Sequence, residues 1–141
     1  MNDFKPMLAA DCKGDLSKVK FPLVASPKID GIRCVIRGGK ALTRSLKPIP
    51  NKHIRELLED ELLEGLDGEL VNARDPMNFQ ATTSAVMSHD GEPAFIFYVF
   101  DHIGSDLDPC FALRLQSALL HVAEGRREGL SFLCLVPHVT I

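Results

Sequence analysis

The stretch SPKIDGIRC sets Lys28, Asp30, Gly31 and Arg33 close together between two apolar runs. A lysine of ordinary pKa, about 10.4, is protonated and a poor nucleophile at neutral pH. Desolvation or neighbouring positive charge favours the free amine, and Arg33 or a divalent metal ion can supply that charge. Such an amine can attack the α-phosphorus of a nucleotide in line, with metal neutralising the phosphate oxygens and pyrophosphate leaving on the opposite side. Asp30 can orient the lysine or a metal-bound water. Gly31 lets backbone come close to a ligand, or satisfies a tight turn. The plainer reading of K-x-D-G is a solvated Lys28 and Asp30 pair on a turn, and the motif alone does not choose between the two.

Three further places carry residues suited to the same chemistry. Arg44, in LTRSLKPIPN, offers a guanidinium fork of the kind that clasps phosphate at two points. Asp67, Gly68 and Glu69 open a strand from which Glu69 can reach a cleft and accept hydrogen bonds from ribose hydroxyls. Phe100 and Asp101 close another strand, where a ring can stack on a nucleobase and a carboxylate can meet solvent or metal. Each also has an ordinary alternative: an exposed strand-end arginine, an edge carboxylate, a core phenylalanine. Charge bears on the choice without making it. The 141 residues sum to a formal charge of −3, yet positions 28–55 hold eight Lys or Arg and one acid, Asp30. A basic stripe in an otherwise acidic chain is the footprint expected of phosphate ligands, and equally of a solvated face.

The elements that must position these residues can be read from pattern. Residues 1–21 mix Pro, Gly and charge without a period and read as a lead-in with one polar turn over 11–20 and nothing catalytic. Residues 23–26 form a short apolar strand. Residues 32–37 and 41–44 flank Gly38 and Gly39, the signature of a β-hairpin. Asn51 is placed to cap a helix whose stripe is Ile54, Leu58 and Leu62, flanked by Leu57 and Leu63 and ending near Gly65. Residues 67–71 read as a strand, and 72–93 as a loop anchored by Phe79, Val86 and Met87, with a short helix over 82–87. Residues 95–100, FIFYVF, read as a buried central strand. Asp108 and Pro109 open a second helix through Glu124, with Leu115, Leu119 and Val122 on one side, and residues 130–136 form a last strand. The sum is an α+β fold with mixed or antiparallel sheets and flanking helices. The closing Pro-His-Val-Thr-Ile neither caps nor closes anything on this reading, so the chain is expected to stop mid-domain.

Composition narrows the classes. With 45% hydrophobic and 25% charged residues the chain is globular and not disordered. Its apolar runs fall far short of the roughly 20 residues a membrane-spanning helix needs, and its start lacks the basic and apolar regions of a secretory signal. Cys12, Cys34, Cys110 and Cys134 form no C-x-x-C pair and the five histidines are scattered, so zinc-ligand spacing is absent. Buried, reduced thiols and a cytoplasmic location are expected.

Taken in order, Lys28, Asp30, Gly31 and Arg33, then Arg44, then Asp67, Gly68 and Glu69, then Phe100 and Asp101, resemble the motif series of the covalent nucleotidyltransferases. That superfamily includes DNA ligases, RNA ligases and mRNA-capping guanylyltransferases. SPKIDGIRC, LTRSLKPIPNKHIR, DGELV and NFQATTSAVM are most similar to the small ATP-dependent DNA ligases of viruses and bacteriophages. The resemblance implies adenylylation of a lysine by ATP with Mg²⁺ or Mn²⁺, AMP transfer to the 5′-phosphate of nicked duplex DNA, and sealing by the neighbouring 3′-hydroxyl. It makes Lys28 the nucleophile, assisted by Asp30 and Arg33. It places the nucleotide among Ser26, Lys28, Ile29, Arg33, Glu69 and Phe100, with Glu69 on the ribose and Phe100 on adenine. It puts the DNA phosphate at Arg44, Ser45 and Lys47, and metal at Asp30 and Glu69. It further implies, beyond position 141, a glutamate motif, a K-x-K motif and an OB-fold. Residues 1–141 would then be the N-terminal portion of a partial nucleotidyltransferase (ATP-grasp-like ligase) domain without an OB-fold, acting as a monomer with no membrane partner. Two other functions stay open: a capping guanylyltransferase using GTP and RNA 5′ ends, and a non-catalytic fragment that binds nucleotide or nicked DNA.

Overall fold

The structure, a computed structural model, describes residues 4–103 and 110–141. Five strands make the main sheet in the order β3-β2-β4-β5-β6: β2 (Ile32–Arg37), β3 (Lys40–Leu42), β4 (Leu66–Asn72), β5 (Phe95–His102) and β6 (Leu133–Leu135). All neighbours are antiparallel except β5 and β6, so the sheet is mixed. The hairpin joining β2 to β3 turns at Gly38 and Gly39, both with positive φ, as its Gly-Gly sequence requires. Both glycine N–H groups donate to the Glu64 carboxylate at 2.8 Å, which ties the turn to the chain entering β4.

The central strand is β4 and not the FIFYVF segment. β5 runs two residues further, to His102, and alternates between buried and half-buried positions, the pattern of a strand with one face on the core. On that face Cys34, Ile36, Leu70, Phe97 and Val99 join Ile54, Leu58, Val86, Ala118 and Val122 from the helices in one hydrophobic cluster. Alternate residues of β2 and β4, Arg33 and Glu69 among them, are thereby turned to the opposite face.

The helices depart from expectation in instructive ways. Asn51 does cap α1 (Lys52–Leu58), its Oδ1 accepting from Ile54 N at 2.9 Å. The helix stops at Glu59, because Asp60 takes up extended backbone and caps a 3₁₀ turn over Glu61–Leu63. Leu63 is therefore fully buried in the core, Leu62 packs against it half-buried, and Leu57 is exposed. The Asn51 amide nitrogen also donates to the carbonyls of Ser88, Asp90 and Gly91, so this buried side chain binds α1 to the end of α2. α2 (Phe79–Met87) begins three residues before the expected start, since Asn78 caps it through Ala81 N. Val86 is its buried anchor, while Phe79 and Met87 are exposed. α3 (Phe111–Arg127) runs past Glu124 and buries Ala118, Val122 and Gly125; Leu119 points out. The expected start of this helix at Asp108 and Pro109 lies outside the described residues.

The tail does close something. β7 (Val139–Thr140) pairs antiparallel with β1 (Val24–Ala25), and Leu23 and Ile141 exchange backbone hydrogen bonds at 3.0 and 2.8 Å. This ribbon is a contact across almost the whole chain, which local pattern cannot reveal. The last main-sheet strand is correspondingly shorter than expected. Among the cysteines, Cys34 is buried and Cys134 partly so, but Cys12 and Cys110 are exposed, against the expectation of buried thiols. Among the described residues no helix is long and apolar enough to cross a membrane.

Where α3 meets β5, the His102 ring stacks on His121, centroids 4.2 Å apart, and contacts the Ser117 hydroxyl and the Glu64 carbonyl. Burial, then the neighbouring His121, lowers the His102 pKa from its ordinary 6.5. An unfolded chain therefore binds this proton first, and stability is lost as pH falls below about 6.5 through the lower native value. Asp67 and Glu69 work the other way: burial raises both, so the stability they contribute is present at low pH and lost as pH rises. Urea unfolding of the protein and of His102→Gln between pH 7.5 and 5 should isolate the histidine. The wild type is expected to lose stability relative to the variant on acidification, and a constant difference would contradict the assignment.

Candidate active site

Lys28 leaves β1 on an extended loop, and its Nζ lies 2.8 Å from Asp30 Oδ1, with side-chain exposures of 84% and 73%. The hydrogen bond and charge of Asp30 raise the Lys28 pKa. The resting lysine is thus held protonated and not activated by its surroundings. Arg33 does not supply the expected push. Its Nε and Nη2 donate to Asp67 Oδ1 and Oδ2, both at 2.7 Å, in a two-point pair only 12% and 2% exposed. The guanidinium charge is spent on a buried carboxylate.

Gly31 meets a constraint that the sequence did not show. Its packing on β4 is so close that an added Cβ would run into the Leu70 carbonyl oxygen and come within 3.0 Å of Val71 Cγ1. Its N–H donates to Glu69 Oε2 at 3.1 Å, which is how the K-x-D-G loop is pinned to the sheet. Glu69 therefore spends one carboxylate oxygen on the loop, and burial raises its pKa. Phe100 is the extra residue of a β-bulge: Gly68 pairs with Val99, and Asp67 with Asp101. Gly68 permits it, since a Cβ there would meet the Tyr98 carbonyl oxygen and lie 2.9 Å from the Phe97 ring. The Arg33 guanidinium carbon sits 4.9 Å from the centre of the Phe100 ring.

Arg44, Ser45 and Lys47 lie on the turn after β3. Leu46 N donates to Thr43 O at 2.8 Å and Thr43 N to Lys47 O at 2.7 Å, and Leu46 adopts a positive φ of 64°. The turn offers its basic side chains to the same hollow as the loop carrying Lys28. One cavity of about 1050 Å³ is lined by Ser26, Lys28, Ile29, Asp30, Arg33, Arg44, Ser45, Lys47, Glu69 and Phe100, the residues to which the resemblance gives nucleotide, phosphate and metal roles; Asp67 and Asp101 are not on its wall. Asp101 departs from the expected contact with solvent: it is nearly buried and accepts from Arg114 Nε at 2.9 Å.

Sequence reasoning passed over part of this wall. Met7, Leu8 and Ala9 of the lead-in line the cavity, as do Phe79, Met87 and Val136. The signal for Phe79 and Met87 was present in NFQATTSAVM, where they occupy the two ends of one helix. Met7 and Leu8 gave none, because a segment without period or partner shows nothing of where it docks. For a metal ion, Asp30 is the fitting donor: an exposed carboxylate beside the lysine suits an ion held mainly by phosphate and water. Among the described residues there is no group of three or more His, Cys, Asp or Glu able to hold one alone.

No protein-family model and no curated protein matches the chain. Solved structures do. It is similar to the crystal structure of Chlorella virus DNA ligase-adenylate, with TM-score 0.79 and 33% identity over 98% of this chain and 50% of that one. A second crystal structure of the same ligase-adenylate gives 0.81 and 34% over 97% and 50%. The ATP-dependent DNA ligase from bacteriophage T7, in complex with ATP, shares the fold, with TM-score 0.60 and 17% identity over 85% and 49%. The chain spans about half the length of these ligases. In fold and in sequence the chain is thus similar to Chlorella virus DNA ligase over about half of that protein's length.

Proposed function

We propose that the chain carries the nucleotide-transferring lysine of an ATP-dependent DNA ligase and forms a lysyl-AMP intermediate. The observation that carries this reading is the convergence of Lys28, Glu69 and Phe100 on one cavity that also receives Arg44 and Lys47. The Lys28 amine, after losing a proton, bonds to the α-phosphorus of ATP, and the bond to the β-phosphate oxygen breaks to release pyrophosphate. Phe100 supplies a face for adenine, backed by Arg33, and the free oxygen of Glu69 accepts from ribose. Ser26 and Ile29 border the base. Arg44, Ser45 and Lys47 receive the 5′-phosphate of nicked duplex DNA, to which AMP then passes before the 3′-hydroxyl seals the break. A divalent ion such as Mg²⁺, bound with the triphosphate, would neutralise its oxygens, and Asp30 is the residue to hold it. Asp30 would then be shared between that ion and Lys28, the partner it now holds protonated.

Incubation with α-labelled ATP and Mg²⁺ tests the assignment. A covalent adduct is expected in the native chain and none in Lys28→Ala; label persisting in that variant would exclude Lys28. Because Asp30 raises the Lys28 pKa, adduct formation should accelerate with rising pH. In Asp30→Asn the profile should move to lower pH even as the overall rate falls. An unmoved profile would count against the ion pair.

The ion pair also favours a second reading, in which the chain binds nucleotide or nicked DNA through its basic cavity without turnover. That function would show salt-sensitive DNA binding and no adduct with any nucleotide.

A further inference from the structure

Behind the cavity wall lies a cluster that the ligase reading does not use. Asp67 and Asp101 face each other across β4 and β5, placed there by the bulge at Phe100. Two carboxylates, 2% and 3% exposed, are each clasped by one arginine: Asp67 by Arg33, and Asp101 by Arg114 from α3, through Nε at 2.9 Å and Nη2 at 3.4 Å. Asp101 Oδ1 also accepts from His102 N at 2.8 Å. Each carboxylate thus has an arginine hydrogen-bonded to it, and Arg33, held to Asp67 through Nε and Nη2, keeps its place against Phe100.

We propose that Arg114 is a positioning residue for the nucleotide site: by neutralising Asp101 from α3, it keeps that carboxylate from taking the hydrogen bonds Arg33 gives to Asp67 and so fixes the guanidinium on which Phe100 rests. Without it, two buried carboxylates compete for one arginine, and a buried charge left uncompensated draws the nearest cation toward itself. Phe100 sits between Val99 and Asp101 on the same bulge, so a shift of Arg33 changes the surface the base would meet. The inference rests on the ligase reading only for its catalytic consequence; the state of Arg33 is a property of the free chain.

The test is the solvent exchange rate of the Arg33 Nε–H, observed by ¹⁵N NMR on the full chain and assigned by its loss in Arg33→Lys. Slow exchange is expected in the native chain, exchange at least about tenfold faster in Arg114→Met, and slow exchange again in Arg114→Met combined with Asp101→Asn, which removes the competing charge. A purely architectural role for Arg114 would lower stability without restoration by Asp101→Asn. Unchanged exchange in Arg114→Met, or fast exchange persisting in the double variant, overturns the proposal. Should Arg114→Met fail to fold, recovery of folding in the double variant supports it and failure of both overturns it. With ATP and Mg²⁺, Arg114→Met should also form adduct about tenfold more slowly at saturating ATP. A native chain that forms no adduct would defeat the ligase reading and leave the exchange experiment to decide this one.

Discussion

Gly31→Ala should reduce lysyl-AMP formation by about 100-fold or more while costing the fold only about 1–3 kcal/mol, the usual range for overpacking. The new Cβ would collide with the Leu70 carbonyl, which belongs to the central strand and cannot yield. Leu70 is paired with Ile32 on one side and Phe97 on the other. The loop must lift instead, breaking the hydrogen bond from Gly31 N to Glu69 and carrying Lys28 and Asp30 away from the residues they work with. A displacement of about 1 Å in a reacting group is enough for a loss of this size. Rates of adduct formation and urea unfolding, measured on the same preparation, separate the two effects. Gly91→Ala is the control, since that glycine has positive φ but open space around it. It should cost some stability and leave the adduct rate unchanged. Equal rates for native chain and Gly31→Ala would show that the loop is not pinned as described.

The second large effect is on stability. Arg33→Met should destabilise the chain by about 3–5 kcal/mol, because it leaves Asp67 as an unpaired charge in the interior. The paired state itself is not a strong stabiliser: burial raises the Asp67 pKa in spite of Arg33, so the solvation its carboxylate loses outweighs the attraction it gains. Removing both charges tells the difference. The double variant Arg33→Met with Asp67→Leu should recover most of the lost stability and none of the adduct formation. If the double variant is no more stable than Arg33→Met, the cost comes from lost packing of Arg33 against Phe100 and not from the orphaned carboxylate.

These two residues also show where sequence reading succeeds and where it stops. The β-hairpin was legible because Gly38 and Gly39 are a local instruction, and α1 was legible at its start because Asn51 is one too. Its end was not, since Asp60 competes as a cap and a leucine stripe shows no break. The ten residues given nucleotide, phosphate and metal roles do meet at one cavity. What those residues do to one another was hidden. Arg33 carried no mark that it would be consumed by Asp67, a partner 34 positions away. Gly31 carried no mark of a further constraint, the close approach of the neighbouring strand, which only the fold supplies. The pairing of Val139–Thr140 with Val24–Ala25 depends on the whole intervening fold, so the tail read as an end without a role.

The central claim is a phosphorus–nitrogen bond at Lys28. Intact-mass spectrometry of the purified chain after incubation with ATP and Mg²⁺, followed by peptide mapping, reads that bond directly. A gain of one AMP residue, mapped to Lys28 and lost on mild acid treatment, is the expected result. An unmodified mass at saturating ATP, or AMP mapped to any other side chain, would contradict it.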